Sequence, residues 1–455
     1  MVSGGVAAEG VDLGAGTRDR IPKGNPDGVL PDRREEFRME RSEERRARLA
    51  ELLDLAQTYK GSTRKDLAKS LGRDPTKLIP GSGIPKLDLV VDLARVLDWP
   101  VDDVVSYLWN GAPSTTEAGA AGDEDFDTLD QAAREAHRGG RCREMIEFAE
   151  RALAAATTPE QRARAWNRVS GGWDGLGRYT NVLTAVQKGL RQSPVSAEFR
   201  RQLQSNLANA YYTLWSLVEA RAVAADLLAW YQHTPPRTIR DRKTHAYALY
   251  IAGNTRRRLI MLEPEQSIEL AAVAKRDLEG SRSLYTDLAE ELGDDALLGI
   301  ANTCHGGIIE LDVELGERTA DSALTELKDG LDDVLDAGGE LVGDQLESFG
   351  WWCIFGCNLA LRHLTDDRQL QQNMAVFTNK ADEIGERLDN WSLRERVFTM
   401  EHTRWERAVG STGFDIPRVV DEEDVRVIAG TMARFPSFHR TGWEILRSAK
   451  IVRSS

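Results

Sequence analysis

"AWNRVSGGWDGLGRYTNVLTAVQKGLRQSP", residues Ala165 to Pro194, reads as two short helices folded back on each other. Gly177 sits where the chain must reverse, and glycine enters left-handed backbone conformations without steric penalty. Ser170 is small enough to let a paired helix approach, while Trp173 and Tyr179 are large enough to fill the gap between helices. "NLANAYYTLWSLVEARAVAADLLAWYQHTPP", from Asn206, repeats the scheme with Leu207, Ala208, Tyr211 and Ala220. A weaker copy spans Ala132 to Ala154 around Gly139 and Gly140. Repetition at such a period marks stacked units that bury together what none can bury alone.

Counted from Trp166, the residues Val169, Ser170, Trp173, Gly177, Tyr179 and Pro194 resemble the large, small, aromatic, turn-glycine, aromatic and terminal-proline positions of a tetratricopeptide (TPR) repeat. The resemblance is close over residues 126–236. Beyond that it is architectural, with helical hairpins expected near Tyr247, Leu297, Phe349 and Arg394. Long amphipathic stretches with short breaks at Gly or Pro, and no convincing strand, predict an all-α chain. Residues 126–455 are expected to form a TPR-like α-solenoid.

Upstream, "DLAKSLGRDPTKLIPGSGIPKLDLVVDLARVLDWPVDDVV", Asp66 to Val105, has different punctuation. Leu49, Leu52, Leu53 and Ala56 recur at the spacing of a helix with one buried stripe. Thr63 and Asp66 form a capping pair for a short helix with Leu67, Ala68 and Leu71 inside and Gly72 at its end. Asp74 and Pro75 are a natural N-cap and first-turn proline for a second helix. A third is predicted over Lys86–Trp99, burying Leu87, Val90, Val91, Ala94 and Leu97, and a fourth over Val101–Leu108. The order resembles a lambda-repressor-like (XRE-type) helix-turn-helix domain, assigned to residues 35–111, with Leu67, Ala68, Leu71, Gly72, Leu78, Pro85, Leu87 and Leu97 as framework positions.

The departure from that family lies in the reading helix. Pro80 removes a backbone donor and clashes with the preceding turn, so a helix begun at Pro75 cannot pass Ile79. A single turn or slightly more remains. Base readout usually takes three or four side chains, and here Arg73, Thr76 and Lys77 are those in place. From Lys60 to Lys86 there are seven basic residues and two acidic ones, giving a local basic face to which Arg64 and Lys65 belong. The same lysines suit a solvated domain that packs on protein, so both readings stay open.

The chain has 455 residues, 41% of them hydrophobic, which suggests several packed units. Its net charge of −14 opposes broad contact with nucleic acid or an anionic membrane, so any DNA contact must be local. Four dispersed cysteines are no disulfide framework and fit a reducing cytoplasm. No run of 18 apolar residues is present, and no membrane partner is expected. Residues 1–34 have the composition of a disordered tail and residues 112–125 that of a flexible linker.

Motifs for catalysis are missing. There is no GxxxxGK[ST], HExxH or GxGxxG between strand and helix. Cys353 and Cys357 share a helical face but lack a second ligand pair for zinc. Cys304 and His305 are adjacent, about 100° apart around a helix. Glu290, Glu291, Asp294 and Asp295 read as a boundary, with Gly293 ending one helix and Asp294 capping the next. No enzymatic activity and no cofactor are expected.

One regularity exceeds these needs. Asn209, Asn254, Asn302 and Asn358 each follow a small residue in the middle of the first helix of a hairpin, although asparagine is a poor helix former. As a ladder along a groove, these carboxamides would bond a peptide backbone, with Arg257 beside Asn254 meeting a carboxylate. Alternatively each satisfies a neighbouring helix. The ladder requires open, unpaired carboxamides; the other reading requires buried ones. The order of domains resembles peptide-sensing bacterial transcription regulators. That resemblance implies a DNA-binding regulator, paired as a homodimer, with a peptide or protein ligand in the repeat groove. The rival is a repeat scaffold with a vestigial helix-turn-helix.

Overall fold

A computed structural model describes residues 33–81, 84–97, 99, 101–109, 125–335, 341, 343–412 and 417–452. The tail expected over 1–34 falls almost wholly outside these residues, as does most of the linker expected over 112–125. Nineteen α-helices, two short 3-10 turns and one two-stranded ribbon make up the described regular structure, and the described chain is all-α apart from that ribbon.

The N-terminal module consists of α1 (Arg33–Lys60), α2 (Arg64–Ser70), α3 (Leu87–Leu97) and α4 (Val101–Trp109). Leu49, Leu52, Leu53 and Ala56 are at most 1% exposed, the stripe their spacing predicts. Thr63 caps α2 by accepting from the Asp66 amide, and Gly72 takes a φ of +63° just past its end. Among the described residues no helix follows before Leu87. Asp74 does cap, accepting from the Thr76 amide at 2.8 Å, and the Lys77 amide closes one turn on the Asp74 carbonyl. The chain then leaves the turn at Pro80. The buried face of α3 is Leu89, Val90, Leu93, Ala94 and Leu97, which corrects the expected face. Leu87, the first residue of the helix, points outward and is 71% exposed.

Thirteen helices then stack in sequence: α5 (Phe126–Arg138), α6 (Cys142–Ala155), α7 (Pro159–Gly175), α8 (Tyr179–Leu190), α9 (Ala197–Thr213), α10 (Leu217–His233), α11 (Ile239–Leu259), α12 (Ser267–Leu292), α13 (Leu297–Glu314), α14 (Ala320–Leu335), α15 (Gly343–His363), α16 (Asp367–Arg387) and α17 (Trp391–Thr412). Each packs on its neighbours in the chain, and odd-numbered helices also meet across the hairpins, the solenoid-like pattern of a helical repeat. Tyr247, Leu297, Phe349 and Arg394 lie in α11, α13, α15 and α17, the first helices of successive hairpins. Gly293 ends α12 with a φ of +60°, but Asp294 does not cap α13, which starts three residues later.

The stack ends in β1 (Arg418–Val420), α18 (Glu422–Arg434), α19 (His439–Ser448) and β2 (Ala449–Ile451). The strands pair in parallel, Arg418 with Ala449 and Val420 with Ile451, with the two helices as their crossover. Three residues each are too few for an alternating pattern, so the ribbon escapes a reading by periodicity.

These last helices join both ends of the molecule. One continuous hydrophobic cluster runs from α1–α4 through Val425, Ile428, Phe435 and Phe438 to Tyr179 and Val182 of α8. The N-terminal module docks through α1 and α4: the Tyr107 ring stacks on His439 at 5.2 Å, and Arg426 donates to the Tyr59 hydroxyl. On the other side, Ser392 Oγ donates to the Tyr179 hydroxyl at 2.8 Å, and the Tyr179 and Phe435 rings lie 5.1 Å apart. The early repeat therefore touches the end of the stack, and a cavity lies between them.

Candidate functional site

That cavity has a volume of about 410 Å3 and is bounded by α7, α9, α11, α13, α15 and the start of α17. Residues three apart share a face of a helix, so each first helix can contribute a short ladder to one lumen. Asn209 and Tyr212 come from α9, Tyr247 and Tyr250 from α11, Ile300 and Thr303 from α13, and Asp344, Glu347 and Trp351 from α15. The last turn of α7 brings Asp174, the turn after it Gly177, and the loop before α17 brings Asp389 and Asn390. Gly299 of α13 allows the close approach of α15: a Cβ there would stand 2.4 Å from the Asp344 carbonyl oxygen.

The lining is aromatic and acidic. Tyr247 and Tyr250 stack at 5.9 Å with their planes 4° apart. Among the lining residues there is no lysine, arginine or histidine. Asp174 is exposed to the lumen, yet partial desolvation by the surrounding walls, with repulsion from Glu347 and Asp344, raises its carboxyl above the usual carboxylate range. Burial raises Glu347 too, against a hydrogen bond from Trp351 Nε1 at 2.9 Å. Asp344 is raised chiefly by burial, partly offset by His137. Burial also holds the phenols of Tyr247 and Tyr250 neutral, well above their ordinary pKa. The nearest cations stand behind the walls: Arg258 is sandwiched 3.7 Å from the Tyr212 ring centroid and 4.3 Å from that of Trp215, and Arg434 lies 3.5 Å over Trp391.

The asparagines divide. Asn209 lines the cavity. Asn254 is 1% exposed; its Nδ2 donates to the Tyr250 carbonyl at 3.1 Å and its Oδ1 accepts from Arg257 Nε at 3.2 Å. Asn302 Nδ2 donates to Ser348 Oγ at 2.8 Å, and Asn358 Nδ2 donates to the Glu310 carboxylate at 3.3 Å. Arg257 is itself buried, paired with Glu310 at 2.6 Å and laid over the Phe355 ring. A ladder of open carboxamides is therefore not formed. Arg257, Asn302 and Asn358 bind helix to helix, while Asn254 is satisfied within α11 and holds the Arg257 side chain that reaches Glu310.

The basic residues of the N-terminal module divide as well. Arg64, Lys65 and Lys77 are exposed. Arg73 pairs with Asp88 at 2.5 Å, and the Thr76 hydroxyl donates to Asp74 at 2.6 Å, so both are engaged locally. Docking through α1 and α4 leaves α2 and the following turn facing solvent.

Among the described residues, His402, Glu406 and Glu444 alone place three ligand atoms within 4.8 Å of one another. A guanidinium can only donate, so Arg418 at 3.0 Å makes His402 Nδ1 an acceptor and puts the ring proton on Nε2, toward Glu444 at 3.2 Å. The nitrogen facing the carboxylates thus offers no lone pair, and the cluster is a hydrogen-bonded one. Cys304 is fully buried with its thiol pushed up to about 12 by burial, so it stays protonated. Cys353 and Cys357 lie in the same apolar core. No described helix is long and apolar enough to cross a membrane.

The acidic positions escaped the sequence reading, which took Tyr179 as a filler between paired helices and gave Asp174, Asp344 and Glu347 no role. The available signal was the pairing of aromatic and acidic residues three apart in alternate helices. No family model matches the chain, and no curated protein is similar to it.

Proposed function

We propose that the protein is a cytoplasmic, ligand-responsive regulator, in which the helical stack holds a ligand and the N-terminal module contacts DNA phosphates. One observation carries this reading. The hydrophobic cluster that closes the stack around its cavity is continuous with the core of the N-terminal module. A ligand that alters the closure therefore acts on the same packed residues that orient α1–α4. A volume of about 410 Å3 falls in the range of ~300–1,000 Å3 common for small-molecule sites. The exposed Arg64, Lys65 and Lys77 supply phosphate contacts, which position a protein on DNA without specifying a sequence.

The test is fluorescence anisotropy with genomic DNA fragments at two salt concentrations. Lys77→Ala should weaken binding to every fragment alike and reduce the salt slope by about 1, the signature of one lost phosphate contact. A second reading, a repeat scaffold whose N-terminal module has lost DNA, is favoured by the lack of a helix between Ser70 and Leu87. Affinity no greater than that of an unrelated acidic protein would decide for the scaffold.

A further inference from the structure

We propose that the cavity receives the ammonium or guanidinium group of a small amine or a peptide, held by Asp174, Asp344 and Glu347 against the stacked Tyr247–Tyr250 pair. The inference rests on the cavity being the ligand site and adds the chemistry of its ligand. Among the described residues, Asp174 has no hydrogen bond to its side chain and no ion pair, and it stands exposed on the cavity wall. Asp344 and Glu347 also lack an ion-pair partner among the described residues, whereas Asp389 at the rim pairs with Arg394. The cavity gathers three carboxylates and no basic side chain, with Asp174 and Asp344 open to the lumen and Glu347 half-buried, so it repels anions and favours a ligand that carries positive charge.

Spacing decides what kind of cation. These three carboxylates do not converge within 4.8 Å as a chelating group would, so a bare metal ion cannot satisfy them together. An organic cation is wide enough to bridge separated carboxylates, and its charge also favours the face of an aromatic ring. The outer faces of Tyr212 and Trp391 already carry arginines. Tyr247 and Tyr250 carry no such cation among the described residues and present a stacked pair of rings to the lumen.

The experiment uses the full chain and follows thermal shift and titration calorimetry with spermidine, argininamide and an arginyl tripeptide amide. N-acetylglutamate and a neutral amide serve as comparison probes. Cationic probes should raise the melting temperature, the polyamine and the peptide together showing which carrier fits better. Asp174→Asn should weaken their binding at least tenfold while raising the melting temperature of the free protein, because it relieves the repulsion from Glu347 and Asp344. A purely structural role for Asp174 would lower that temperature. Glu347→Gln is the second variant and should also weaken the cation tenfold. Binding of the neutral or anionic probe, unchanged by Asp174→Asn, would overturn the cationic ligand and leave the cavity as a ligand site. Binding of no probe would overturn both.

Discussion

Glu310 is 1% exposed and answers two arginines at once: Arg257 at 2.6 Å from α11 and Arg362 from α15. Arg362 passes the network on to Glu314 at 2.7 Å, and Glu314 accepts from His363 at 3.0 Å. A buried ion is stabilised only while its partners remain, and removing one partner strands the others in a low dielectric. Glu310→Gln preserves the shape and removes the charge, leaving Arg257 buried without its carboxylate. The expected loss is about 3–5 kcal/mol in urea unfolding, with the double variant Glu310→Gln/Arg257→Met recovering part of it. This network also explains what the asparagine recurrence can and cannot reveal. That asparagine in a helix needs a partner is legible from Asn254 and Asn358 alone. Whether the partner is a ligand or Glu310 depends on which side chain stands across the hairpin, and Glu310 lies 48 residues from Asn358.

At the scale of elements, proline and glycine make the chain most legible. The helix expected from Asp74 and Pro75 is reduced to a single turn that ends before Pro80, and Gly72, Gly177 and Gly293 turn where left-handed backbone is needed. The docking of the N-terminal module is not legible, because its partners α18 and α19 are more than 300 residues away in the chain. His439 sits at that docking surface, its Nε2 donating to the Met432 carbonyl at 2.6 Å and its ring stacked on Tyr107. Burial lowers its pKa below 6.5, although that hydrogen bond and the charge of Glu51 work the other way. The unfolded chain therefore takes the proton first as the pH falls. His439 contributes stability that is complete above pH 6.5 and lost through the window below it, at up to ~1.4 kcal/mol for each unit of depression. Amide exchange in α1 and α19 should accordingly speed up between pH 7 and 5.5. His439→Phe, which keeps the ring and removes the titration, should abolish that difference; an unchanged pH response would place its source elsewhere.

For the molecule as a whole, the decisive contact is the closure of the stack, and it turns on one indole. Trp391 lies between two glycines from opposite ends of the repeat region. A Cβ on Gly177 would come within 2.9 Å of the ring, and one on Gly430 within 2.5 Å. The Arg434 guanidinium covers one face at 3.5 Å, and Arg394 stands at 4.9 Å. Glycine at both positions lets backbone press directly on the ring, so the turn after α7 and helix α18 are joined through a single side chain. Trp391→Ala removes that bridge and should cost about 3–5 kcal/mol, the range for deleting a large aromatic from a packed site. The distribution of the loss is the sharper test. Amide exchange should rise at both α8 and α18, which Trp391 holds together, while α11–α13, tied by the Arg257–Glu310 network, keep their protection. Because Trp391 and Ser392 also line the cavity, the same variant should lose any ligand that the cavity binds, even though Asp174 and Glu347 are untouched. Loosening confined to α17 itself would mean that the ends are held by the Tyr179–Phe435 contact instead, and ligand binding would then survive the substitution.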